Sequence, residues 1–171
     1  MPRMTTADNI IRALNLTPHP EGGYFKETYR ADETIAANSL PDRFGGGRRL
    51  GTAIFFLLTS RDVSCFHRIK ADEIWHFYFG CPLLLHILQK NGSYRTITLG
   101  TAFDRGETPQ ATVLQGDWFG ATVVNKEDFA LVGCTTAPGF DFADFELADR
   151  QQLTRDYPRQ IEIIKKLKPS P

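Results

Sequence analysis

Residues 50–99 read LGTAIFFLLTSRDVSCFHRIKADEIWHFYFGCPLLLHILQKNGSYRTITL, and this stretch decides the fold. It divides into short apolar runs at 50–59, 64–69, 74–79, 83–88 and 94–99, rich in β-branched and aromatic residues and bounded by polar turns. Asn91-Gly92, between the last two runs, is the strongest short hairpin signal a sequence offers. ATVL (111–114), FGATVV (119–124) and ALVGCT (130–135) continue the pattern. No helical pattern of roughly 10–15 residues separates these runs, which excludes parallel βαβ architectures. The spacing predicts an all-β antiparallel sandwich or barrel.

Upstream, YFKETYR (24–30) alternates as a further strand, with Phe25, Glu27 and Tyr29 on one face and Lys26, Thr28 and Arg30 on the other. Residues 18–23, PHPEGG, read as a break before it. Residues 31–49 form a polar loop with Pro41 and Gly45-Gly46-Gly47, expected to be the most mobile segment. Short helices are expected at both ends. One covers about 5–16, opened by a capping box at Thr5–Asp8 and carrying Ile10, Ile11 and Leu14 on one face. The other covers about 158–168, started by Pro158, with Ile161, Ile164 and Leu167 on one face and Lys165, Lys166 and Lys168 at its end. The whole chain, 1–171, reads as one domain with a barrel core at about 22–147.

Composition narrows the function classes. Lys plus Arg equals Asp plus Glu, 20 each, so no global field attracts nucleic acid or an anionic membrane. No apolar run approaches the ~20 residues of a membrane span. The start lacks the apolar core of a signal peptide, so a cytoplasmic protein is expected. Three cysteines, Cys65, Cys81 and Cys134, are not a disulfide framework. Thirteen of the aromatics are Phe, which fill cores or line apolar cavities.

The chemistry concentrates in HRIKADEIWHFYFG (67–80). If 67–69 and 73–79 are consecutive strands, His67, Ile69, Glu73, Trp75 and Phe77 point into one barrel and His76 points away. A carboxylate beside an imidazole raises the histidine's pKa and suits proton transfer or a metal. His67 and Glu73 are therefore the candidate catalytic pair. A divalent metal, if one is held, would also rest on them, although two ligands are too few for tight binding. Glu27 shares an apolar face with Phe25 and Tyr29, and an acid there must be paired or face a wet cavity. Trp75, Trp118 and Phe119 read equally as an aromatic ligand wall or as core. His76 reads as a structural histidine, a subunit contact or, through a strand bulge, a site residue. Arg30 reads as a surface charge and His86 as structural. Phe140, Phe142 and Phe145, alternating with acids, read as a closing strand over the barrel edge or a dimer contact.

These residues carry a resemblance. His67, Glu73 and Gly80 match the framing of the first cupin motif, with Ile69 at a usual histidine position. Leu114–Phe119 faintly resembles the second motif, with Phe119 where another histidine would stand. Longer blocks, LNLTPHPEGGYFKETYR, GTAIFFLL, HRIKADEIWHFYFG and VGCTTAPGFDFADFEL, are similar to the cupin_5 (DUF985) family. That resemblance implies a double-stranded β-helix, or jelly roll, usually as a homodimer, without supplying a reaction. Gly23–Glu27 also resembles the strand of dTDP-sugar 3,5-epimerases whose Phe and Glu meet the nucleotide base. Phe25 and Glu27 match, but Gly22 stands at the phosphate-binding arginine position and Val132 at that of the proton-donating tyrosine.

The expected function is an enzyme on a small polar molecule, a sugar or nucleotide-sugar, using His67 as general base and Glu73 to orient it. Phe25, Glu27, Tyr29, Trp75, His76, Trp118 and Phe119 are the expected ligand-binding residues. The alternative is a non-catalytic binding or sensing protein, and a weaker one a metal-dependent isomerase or dioxygenase.

Overall fold

A computed structural model describes residues 6–126 and 128–167. In chain order the strands are β1 (Thr17–Pro18), β2 (Tyr24–Arg30), β3 (Thr34–Ile35), β4 (Arg48–Arg49), β5 (Thr52–Thr59), β6 (Ser64–Arg68) and β7 (Glu73–Gly80). They continue with β8 (Leu83–Leu88), β9 (Tyr94–Leu99), β10 (Gln110–Val113), β11 (Trp118–Val123), β12 (Phe129–Thr136) and β13 (Glu146–Leu147). The helices are α1 (Ala7–Leu14), α2 (Arg150–Asp156) and α3 (Ile161–Lys166).

Two antiparallel sheets face each other. One has the order β1-β2-β5-β12-β7-β10 and the other β13-β6-β11-β8-β9. Their inner faces bury a common core that includes Phe56, Leu58, Trp75, Leu85, Ile87, Phe119 and Val132. This is a jelly roll, one form of the antiparallel sandwich or barrel that short strands without intervening helices predict. α1 closes part of the outer face of the six-stranded sheet, packing Ile10, Ile11 and Leu14 beside Leu57 and Phe129. α2 and α3 close the outer face of the other sheet, packing Leu153, Tyr157, Ile164 and Leu167 beside Phe66 and Leu88.

Three local readings change. The first helix is capped by Thr6, whose hydroxyl accepts from Asn9 N–H; Thr5 lies outside the described residues, as does Lys168. An additional helix, α2, precedes the expected one, with the Asp149 carboxylate accepting from Gln152 N–H. The 31–49 segment is an ordered strap. β3 pairs with β4, and Phe44 and Arg48 are buried. Arg48 Nε and an Nη donate to both Asp144 oxygens at 2.7 and 2.6 Å, and the same Nη group donates to the Phe44 carbonyl. Asp144 thereby fixes the aromatic segment 140–147 against the strap, and β13 then runs beside β6 with Leu147 opposite His67.

Removing one partner of a buried ion pair leaves the other charge unpaired, at about 3–5 kcal/mol. Arg48→Met should lower unfolding free energy in urea by about 3 kcal/mol. A midpoint within error of wild type would show that the pair is not a tether.

Candidate active site

Inward residues of the six-stranded sheet line up in rows across the strands. Glu73 lies opposite Thr136, Thr136 opposite Thr52, and Thr52 opposite Arg30. In the next row Trp75, Cys134, Ile54 and Glu27 are consecutive neighbours. The row order depends on a bulge in β2. Glu27 pairs with Ile54 and Tyr29 with Ala53, leaving Thr28 as the extra residue. The bulge reverses the parity of the strand's end. Arg30 turns inward beside Glu27, and Tyr29 turns out, 58% exposed.

The sheets enclose a cavity of about 80 Å³, open at one end. That is roughly half the ~150 Å³ of an engineered cavity that holds benzene. Its floor is polar. His67, on β6, is buried and places its Nε2 at 3.1 Å from Glu21 Oε2. Its Nδ1 lies 2.7 Å from the Cys65 carbonyl, which can only accept, so Nδ1 carries a proton. One further proton must then lie between Nε2 and Glu21. Burial pushes the His67 pKa down and the Glu21 pKa up, which favours the neutral arrangement, with the Glu21 carboxylic acid donating to Nε2. Ser64 Oγ donates to the other Glu21 oxygen at 2.9 Å. His19 Nδ1 accepts from Glu21 N–H at 3.3 Å, and burial lowers its pKa as well.

Glu21 and His19 line the cavity too, although no sequence pattern singles them out. They sit in the PHPEGG break, between β1 and β2. Gly22 has φ +107°, and a Cβ there would stand 2.1 Å from the Val63 carbonyl oxygen. Only glycine lets the turn dock this closely, so that the Glu21 carbonyl accepts from Cys65 N–H and its side chain enters the barrel. The sequence offers only a histidine and an acid framed by two prolines and two glycines, the composition of a turn.

Glu73, at the start of β7, is buried and lines the cavity. Burial pushes its pKa up to about 7, and Glu21 adds to the rise. Neighbouring His67 opposes it, and the Cys134 thiol and Trp75 indole draw it partly back. The indole N–H falls short of hydrogen-bond geometry. The mouth is aromatic, formed by Phe25, Phe140, Phe142 and Phe145. Glu27 and Arg30 cross it as an ion pair with contacts of 2.9 and 2.6 Å, and Arg30 also donates to the Phe140 carbonyl. The 140–145 rings therefore line the entrance, and β13 after them closes the edge of the five-stranded sheet beside β6.

A model described as Cupin superfamily (DUF985) matches residues 8–148. The chain belongs to this cupin family. A crystallised Shewanella oneidensis protein is 36% identical, with a TM-score of 0.88 over 98% of this chain and all of that one. A hypothetical protein from Leishmania major is 35% identical, with a TM-score of 0.86 over 95% and 98% of the two chains. An uncharacterized Saccharomyces cerevisiae protein is 28% identical over 82% of this chain and 74% of that one. Bacillus subtilis oxalate decarboxylase, at 12% identity, has a TM-score of 0.53 over 88% of this chain and 36% of that one, a likeness of fold alone.

Within this cupin barrel His67, Glu73, Phe25 and Glu27 meet at one cavity. The other expected ligand residues lie elsewhere. Trp75 is 1% exposed and packs edge-on against Phe56 and Phe119 in the core. Phe119 is opposite His67 across the β6–β11 pairing and packs on its ring at 4.1 Å, behind the cavity lining. Trp118, on the opposite parity, faces outward under the Arg68 guanidinium and joins the α2–α3 cluster. His76 is on the outer face of its sheet, hydrogen-bonded to Thr135 and Gln110. Tyr29 leaves through the bulge.

The donor set does not fit a metal ion. Ile69 and Phe119 place hydrocarbon at two expected ligand positions, and both ring nitrogens of His67 are engaged. Among the described residues no three His, Cys, Asp or Glu side chains converge as metal ligands. No helix there is long and apolar enough to cross a membrane.

Two outcomes follow. A carboxyl that titrates at about 4.5 unfolded and about 7 folded contributes stability fully present below pH 4.5 and lost as pH rises to 7. At about 1.4 kcal/mol per unit, Glu73→Gln should gain up to about 3 kcal/mol on wild type between pH 4.5 and 7, then level off. Urea unfolding at several pH values measures this; a difference constant with pH would refute the assignment. Gly22→Ala should cost at least about 2 kcal/mol, against about 1 kcal/mol for Gly92→Ala, also at positive φ but in open space. Equal losses would mean that the Val63 contact does not matter.

Proposed function

We propose that this cupin is a proton-transferring enzyme, of isomerase or epimerase type, acting on a small polar substrate that presents an apolar face to the phenyl rings. The single observation that carries the reading is Glu73, a cavity-lining carboxyl with a pKa of about 7 beside His67. A general acid–base catalyst works best with a pKa near the operating pH.

The geometry supports exchanging the roles expected from the sequence. His67 is held at both ring nitrogens, by the Cys65 carbonyl and Glu21, and is a positioning and hydrogen-bonding group. Glu73 is the freer group and serves as the base. Its carboxylate takes a proton from a carbon next to a carbonyl, and the C–H electron pair moves into the enolate. The same carboxylic acid returns the proton to the neighbouring carbon on the same face, while the enediol hydroxyl proton passes from one oxygen to the other, so no oxidant or second reactant is needed. The low-dielectric aromatic mouth strengthens each electrostatic contact inside.

The enclosed volume is too small for a whole nucleotide-sugar, and a single ring would extend from it into the open mouth. Arg30 is committed to Glu27 and Phe140 and offers no free guanidinium to phosphates. A sugar ring, with one apolar face, is the first class to test.

The test is incubation with reducing sugars in deuterated buffer, followed by proton NMR. Expected is exchange of one carbon-bound hydrogen, with a rate that rises through about pH 7 and falls 100-fold or more in Glu73→Gln. Saturable binding without exchange would instead favour the binding or sensing reading.

A further inference from the structure

The charged groups around the cavity can be matched one against another. Glu27 is paired with Arg30 at the mouth. Glu21 shares its proton with His67, and His19 is neutral. Asp144, behind the rim, is paired with Arg48 and approached by Lys70 at 3.5 Å. The Cys134 thiol, its pKa raised by burial, stays uncharged. Glu73 makes no ion pair among the described residues, and Arg30, the cation of the lining, is held by Glu27.

The rings reinforce this imbalance. Phe140, Phe142 and Phe145 meet at steep angles of 69 to 80°, with centroids 5.1 to 6.3 Å apart. Phenyl faces carry negative potential, and phenyl rings that line one cavity with a carboxylate are an environment that recognises organic ammonium ions. An anion entering this cavity meets the same potential, and Arg30 is already held by Glu27.

We infer that the cavity takes a small organic ammonium ion, seated between the Glu73 carboxylate and the phenyl rings of the mouth. This rests on the cavity being the substrate site, and it names the substrate of the proposed reaction as an amine, an amino sugar being one such class. The group that faces Glu73 from β6 is His67, from β12 Cys134, and from the β1–β2 turn Glu21; His67 is the one among them that can carry a positive charge, and burial lowers its pKa. A bound ammonium is then the missing counter-charge, and binding at low pH requires Glu73 to lose its proton.

The test uses three bodies of similar shape and different charge: tetramethylammonium, tert-butanol and pivalate. Isothermal titration calorimetry at pH 8 should show tetramethylammonium binding at least about tenfold tighter than tert-butanol, with pivalate weakest. Its affinity should fall about tenfold from pH 8 to pH 6, because a carboxyl with a pKa of about 7 is mostly protonated at pH 6. Glu73→Gln should bind it weakly and without pH dependence. Phe142→Leu, at a ring that is 56% exposed, keeps the fold and should weaken tetramethylammonium more than tert-butanol. Equal or tighter binding of tert-butanol or pivalate, no binding of any of the three, or unchanged affinity in Glu73→Gln would each overturn the inference. Carbon-proton exchange on a neutral sugar without ammonium binding would remove this inference and leave the proton-transfer reading standing. Ammonium binding without exchange on any amine would do the reverse.

Discussion

A carboxyl group withdrawn from water holds this structure's interior together. Glu21 comes from a tight turn outside both main sheets, yet its side chain joins Ser64 and His67 on β6 and stands beside His19. An isolated carboxylate could not be placed there, since burial alone would cost several kcal/mol. The site is tolerable because one shared proton neutralises Glu21 and His67 together and Ser64 donates to the other Glu21 oxygen. The tautomer of His67, the orientation of its ring and the electrostatic surroundings of Glu73 all follow from that arrangement.

The second constraint is parity. Strand residues alternate between faces, so one extra residue exchanges everything beyond it. In β2 this happens at Thr28, and it decides the composition of the mouth. Without the bulge a tyrosine would face the cavity and Glu27 would lie beside it unpaired. With it, Arg30 neutralises Glu27 and leaves Glu73 as the group with titratable freedom.

Long-range alternation was readable from the sequence. The strand runs, the inward set of His67, Ile69 and Glu73, and the apolar replacements at Ile69 and Phe119 needed only period-two patterning and family-like spacing. Phe25 and Glu27 at the cavity followed from the same rule. What escaped did so for identifiable physical reasons. A bulge leaves no composition signature in YFKETYR, so Tyr29 and Arg30 were interchanged. Glu21 reaches His67 across 46 positions, a distance no local pattern encodes. Trp118 and Phe119 are neighbours, and one register choice sends the first outward and the second inward. The 31–49 strap looked loose because its one decisive contact, Arg48 with Asp144, is again distant in sequence.

The pairing of β13 with β6 gives the barrel a mechanical property. The residue after the aromatic rim, Glu146, is bonded to Arg68, and Leu147 lies directly opposite His67. Rim and floor are thus successive parts of one hydrogen-bonded ladder. A body too wide for the entrance cannot push the phenyl rings aside without straining the strand that carries the histidine. The opening and the bottom of the cavity are therefore mechanically joined, and a displacement of the rim is carried along the ladder to the strand that bears His67.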